Sequence, residues 1–139
     1  MRWDTDKLDL QWLGQSATLH TSYYQARIVL HNPLPFIRKP SSIGMNPVHL
    51  ESLHTCTVAA NSCVQVLRVQ LEWGLRIMPI QLQAAFSSAM VLLVGMWTTL
   101  KREGMKAKEE LGMAVNDVRT CMDAVKKVER MWTVGGRAW

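Results

Sequence analysis

Four histidines and three cysteines, His20, His31, His49, His54, Cys56, Cys63 and Cys121, are the side chains of this chain best suited to chemistry. A helical metal pair needs ligands four apart on one face, and His49 and His54 are five apart, which rotates them off a common face. Cys56 lies two residues beyond His54, a loose cluster without the ligand spacing of a tetrahedral site. Cys56 and Cys63 are seven apart, about 10 Å along a helix, which is beyond disulfide reach. An odd number of cysteines with no Cys-x-x-Cys pair reads as buried free thiols in a reducing compartment. A nucleophilic cysteine wants a basic, exposed setting. Cys121 has Arg119 nearby, yet Val118 and Val125 share its face, so core packing is expected. Glu109-Glu110 stands in a charged stretch, the opposite of the desolvated surroundings that tune a catalytic acid. Gly14-Gln15-Ser16 is a lone glycine rather than a nucleophile elbow, and no glycine-rich phosphate loop occurs. No catalytic, cofactor-binding or metal-ligating residue is therefore assigned, and the chain is not expected to be an enzyme.

The elements that would position these residues follow from composition and period. A chain of 139 residues reads as a single domain over 1–139. Nine Met and six Trp with only two Phe suit a core of irregular helix contacts. The first expected helix runs from about Leu10 to Leu30, with Leu13, Ala17, His20, Tyr24 and Ile28 at helical spacing and Asn32-Pro33 as its stop. A loop rich in breakers follows, from Pro33 to Pro47. The second helix is expected from Pro47 to about Trp73, with a stripe of Leu50, Leu53, Thr57, Ala60, Val64, Leu67 and Leu71 and a stop at Gly74. Small residues beside that stripe, Ala59, Ala60 and Cys63, would admit a close neighbour. The third helix is expected from Pro79 to Leu100 and, being the least polar, at the centre of the bundle. The fourth is expected from Lys106 to Trp132, with Leu111, Val115, Val118, Met122, Val125 and Trp132 on one face and Gly135-Gly136 as its end. No period-two alternation is present. The fold class expected is all-α, an irregular bundle of about four helices with a central apolar helix and a Pro-rich loop after the first.

Charge and hydropathy bound the partners. The net charge of +5 arises from 16 basic and 11 acidic residues that interleave, without a basic arm. Duplex binding needs clustered phosphate-neutralising charge, so direct DNA contact by this segment is not expected. The stretch Met1 to Lys7 lacks the apolar core of a signal peptide. From Ile77 to Leu100 there is no charged residue, but Pro79, Gln81, Gln83, Ser87 and Ser88 dilute the run. A buried core helix is the expectation, and a membrane anchor over Ile77–Leu100 the alternative. A second alternative is a stand-alone ligand-binding protein with a pocket lined by Met90 and Met122.

Several short pieces, in order, resemble the fungal-specific (xylanolytic-activator-like) regulatory domain of zinc-cluster transcription factors. They are Leu30-His31-Asn32-Pro33-Leu34, Cys56-Thr57-Val58-Ala59-Ala60, Phe86-Ser87-Ser88-Ala89, Cys121-Met122, and Trp132 with Gly136-Arg137. The similarity spans about Leu19 to Trp139, and the positions that carry it are His31, Pro33, Cys56, Ala60, Cys121, Trp132 and Arg137. Asn32 and Leu34 replace the usual Arg and Phe of the family. The six-cysteine zinc cluster is absent from this segment, so zinc and DNA reading are expected only upstream. The resemblance implies the C-terminal part of a larger regulatory domain, in the nucleus, modulating RNA polymerase II transcription through upstream domains or protein partners. Self-association into a homodimer is compatible with that role. Trp3 and Trp139, large apolar residues near the ends, also suit a piece of a longer protein.

Overall fold

Starts and stops of the helices follow local chemistry in the computed structural model, which describes residues 10–31, 47–103 and 108–137. Helix α1 is Leu10–His31, α2 is Pro47–Glu72, α3 is Ile80–Glu103 and α4 is Lys108–Arg137. The described residues form an all-α bundle of four helices, with no strand among them. The Pro-rich loop expected after α1, Pro33 included, lies outside the described residues.

Pro47 opens α2 at a position where its missing N–H is not needed. Gly74 ends the same helix with φ of 64°. There the Leu75 N–H donates to the Gln70 carbonyl at 2.9 Å and the Gly74 N–H to the Leu71 carbonyl at 3.3 Å. This double bond pattern satisfies the carbonyls that a helix end leaves open, and the left-handed residue it requires is least strained as glycine. Four residues later α3 starts with a reciprocal cap. The Met78 N–H donates to Gln81 Oε1 at 2.9 Å and the Gln81 N–H donates to the Met78 carbonyl at 2.9 Å, with Pro79 between them. Two capped ends thus fix a short connection between α2 and α3.

The α1 stripe is buried as expected: Leu13, Ala17, His20, Tyr24 and Ile28 all face inward. On α2 the expected Leu53, Ala60, Val64 and Leu67 are buried, and so is a second row of Cys56, Ala59, Cys63, Val66 and Gln70. Two rows are sealed because α2 packs against α1, α3 and α4. Helix α3 also touches all three others, so the apolar helix is central by its contacts. Only its inner side is covered, however: Ala84, Ala85, Ser88, Val91 and Leu92 are buried, while its far side is open.

Two expectations for α4 change. Its buried seam is Cys121, Ala124 and Val128, whereas Val115, Met122 and Val125 are exposed and Val118 is half-buried. Small residues let α4 approach its neighbours, and two polar contacts set its rotation. Asp117 pairs with Arg68 of α2 at 2.6 Å, and Lys127 Nζ donates to the Leu75 carbonyl at 3.0 Å. The helix also continues through Gly135-Gly136 to Arg137 instead of stopping there, since glycine in a helix costs only about 1 kcal/mol relative to alanine.

Candidate functional site

The three cysteines and His20, marked by the sequence as chemical, are placed inside helix contacts. Cys56, Cys63 and Cys121 are all buried and unpaired with one another as disulfides. The Cys56 thiol reaches the Ile28 carbonyl of α1 at 3.8 Å, and Ala60 is buried one turn further along α2. Burial pushes the Cys56 thiol upward, and pushes Cys63 to about 11, with the nearby Ser88 hydroxyl pulling slightly the other way. Cys121 is pushed up to about 12, first by burial and then by the neighbouring Cys63 and Asp117, with Arg68 opposing. Neutral, desolvated thiols are poor nucleophiles. The cation beside Cys121 is Arg68 of α2, since Arg119, its neighbour in sequence, is exposed.

His31 is the last residue of α1 and half-buried. His20 is buried, its Nδ1–H donating to the Ser16 carbonyl at 2.8 Å, and its Nε2 has no hydrogen-bond partner among the described residues. His54 and Cys56, loosely clustered in the sequence, part in space, since His54 is exposed while Cys56 turns inward. Among the described residues no group of three His, Cys, Asp or Glu is close enough to hold a metal ion. Trp132 and Arg137 fall in the last turns of α4.

A buried polar junction went unnoticed in the sequence. Gln81 of α3 donates through Nε2 to Gln70 Oε1 of α2 at 2.7 Å and to Thr21 Oγ1 of α1 at 3.3 Å. Thr21 in turn donates to the Ala17 carbonyl at 3.0 Å, which leaves its oxygen free to accept. All three side chains are buried. Gln81 Oε1 also accepts the capping N–H of Met78, so this amide ties three helices and one turn together. In the sequence Gln81 is indistinguishable from a polar residue diluting an apolar run.

One hollow, about 550 Å³, lies between α1 and the α2–α3 turn, lined by Gln11, Gly14, Gln15, Thr18, Leu19, Ser22, Leu75, Arg76 and Met78. Another, about 610 Å³, opens on α4 alone around Glu109, Gly112, Met113, Val115, Asn116 and Arg119. Neither includes Met90 or Met122, both of which are exposed on outer helix faces.

The far side of α3 carries a run of exposed apolar side chains. Phe86 is 64% exposed and Trp97 62%, with Met90, Leu93 and Leu100 between and beside them, also exposed. The same helix, over Ile80–Lys101, is long and apolar enough to cross a membrane, and only 33% of that stretch is buried in the bundle. Lys101 covers one end of the face, its Nζ 5.1 Å from the Trp97 ring centre. Compared with known proteins, the chain matches no family model, no curated protein and no solved structure.

Proposed function

We propose that this chain is a helical regulatory module working by protein contact, the part of a fungal zinc-cluster transcription factor that does not read DNA. The observation that carries the reading is where the family-like pieces fall. His31 closes α1, the Cys56–Ala60 turn of α2 packs on α1, Phe86–Ala89 lies in the first half of α3, and Cys121-Met122 is on α4. The first four pieces therefore begin on successive helices, and the fifth, Trp132 with Gly136-Arg137, shares α4 with the fourth. The exposed α3 face supplies surface for contact with an upstream domain or a partner, and the interleaved charge suits neither groove of a duplex. Zinc, DNA reading and nuclear targeting then belong to the parent protein.

Tethering tests this. Residues 1–139 fused to a heterologous DNA-binding domain in a fungal cell should raise or lower a reporter relative to that domain alone. An unchanged reporter, or sequence-specific duplex binding by the untethered chain, would sink the reading. An in-frame Cys-x2-Cys-x6-Cys cluster upstream of Met1 in the transcript would strengthen it.

A second reading has one specific observation behind it, the apolar length of α3. A chain anchored through Ile80–Lys101 stays in the membrane pellet after carbonate extraction, whereas a contact module is released.

A further inference from the structure

We infer that the outer face of α3 is a self-pairing seam, on which a second copy of this chain docks antiparallel about a two-fold axis at Leu93. Phe86, Met90, Leu93, Trp97 and Leu100 are separated by four, three, four and three residues, the a/d spacing of a coiled-coil seam. All five are exposed, while the buried Ala84, Ser88 and Val91 take the opposite side of the same helix. The bundle thus leaves the seam unobstructed.

The spacing is close to symmetric about Leu93. Reversing the helix sets Phe86 against Leu100 and Met90 against Trp97, a large residue facing a smaller one at each level. A parallel pairing instead stacks Trp97 on Trp97 and brings two Lys101 ammonium groups together at one end. Antiparallel pairing separates those cations and opposes the helix dipoles favourably.

Area supports a second copy as the occupant. At roughly 150–250 Å² for each large side chain, the exposed fractions on α3 amount to about 500 Å² of apolar surface. That is about the apolar share, a little over half, of the ~800 Å² per partner of a standard specific interface.

A bilayer is the weaker occupant. Insertion of α3 would strip Gln81 from Gln70 and Thr21 and carry Ser88 into hydrocarbon. A helix lying on the membrane surface needs a basic rim, and from Ile80 to Leu100 there is no cation.

The test is the mass of the intact chain in solution by sedimentation velocity over a micromolar range. The expected result is a reversible dimer of twice the 15.8 kDa chain. Leu93→Glu should weaken it at least about 100-fold, as expected for a central anchor residue, with helical circular dichroism unchanged. Leu93→Cys should give a disulfide-linked dimer under mild oxidation, because the axis brings the two copies of that position together. A wild-type chain that stays monomeric overturns the seam, as does a Leu93→Glu dimer of wild-type strength. Flotation with phosphatidylcholine vesicles in place of self-association overturns it too. Should Leu93→Glu fail to fold, the wild-type mass and the Leu93→Cys cross-link still decide. A monomer would leave the tethered-reporter result untouched, so this inference and the proposed function fail separately.

Discussion

The inner faces of α2 and the outer face of α3 are made of similar residues, yet one is sealed and the other is open. Helix α2 buries Leu53, Ala60, Val64 and Leu67 on one row and Cys56, Ala59, Cys63 and Val66 on another. Its small residues let α1 and α3 come close, and close approach excludes water from the larger ones. Helix α3 carries bigger side chains outward, Phe86, Leu93 and Trp97, where no described element reaches them. Hydrophobicity sets how much surface wants cover. Residue size and neighbouring helices decide which surface obtains it within one chain.

That contrast can be broken most strongly at Leu67, which is fully buried. Leu67→Ala should lower the unfolding free energy by about 2–5 kcal/mol. Leu93→Ala, measured in urea where the chain is monomeric, should change it by less than about 0.5 kcal/mol. Equal losses at the two positions would mean that the α3 face is covered within the monomer.

The polar junction comes next. Gln81→Leu removes the cap on Met78 and leaves Gln70 and Thr21 short of a partner, and should cost about 2 kcal/mol in the same titration. Adding Gln70→Leu should recover part of that loss, since removing both partners spares the buried orphan.

The buried thiols predict a dependence on alkaline pH. Cys63 and Cys121 ionise near about 11 and about 12 in the fold, against an ordinary 9.0. Above pH 9 the unfolded chain releases protons that the folded chain retains, so stability is full below that value and falls as pH rises toward 11 and 12. Each thiol contributes a slope of up to about 1.4 kcal/mol per pH unit. Cys63→Ala with Cys121→Ala should flatten the fall between about pH 9 and 11 in chemical denaturation, relative to wild type. An unchanged slope would show that the inner face is wetter than its burial implies.

The smallest effect belongs to the Arg68–Asp117 pair, whose side chains are 30% and 19% exposed. Asp117→Asn should cost about 0.5 kcal/mol, and added salt should shrink the difference.

Helix identity was legible because its signals are local. Period along α1 marks every buried large residue there, and Gly74 marks the end of α2 by taking a positive φ. The seam of α4 was not legible. Two apolar rows run along it, and only contacts with Arg68 and the Leu75 carbonyl, from distant parts of the chain, select Cys121, Ala124 and Val128 over Met122 and Val125. Gln81 was hidden for the same reason, because its partners come from α1 and α2. The open side of α3 was not legible, because an apolar helix carries no mark of how many sides its neighbours cover. Of the residues marking the family resemblance, Cys56, Ala60, Cys121 and Trp132 lie in the helices expected for them, His31 and Arg137 lie in helical turns beyond the expected ends, and Pro33 lies outside the described residues.

The lysine that reaches across to the α2–α3 turn sets a schedule for biosynthesis. Leu75 waits for a donor 52 residues later, and Arg68 for a carboxylate 49 residues later. At translation speeds of about 5–20 residues per second, the end of α2 spends roughly 2–10 s before either latch can form. During that interval the side of α3 that α4 later covers stays open beside its outer face. Newly made copies on one messenger, or a holdase chaperone, would meet that surface first.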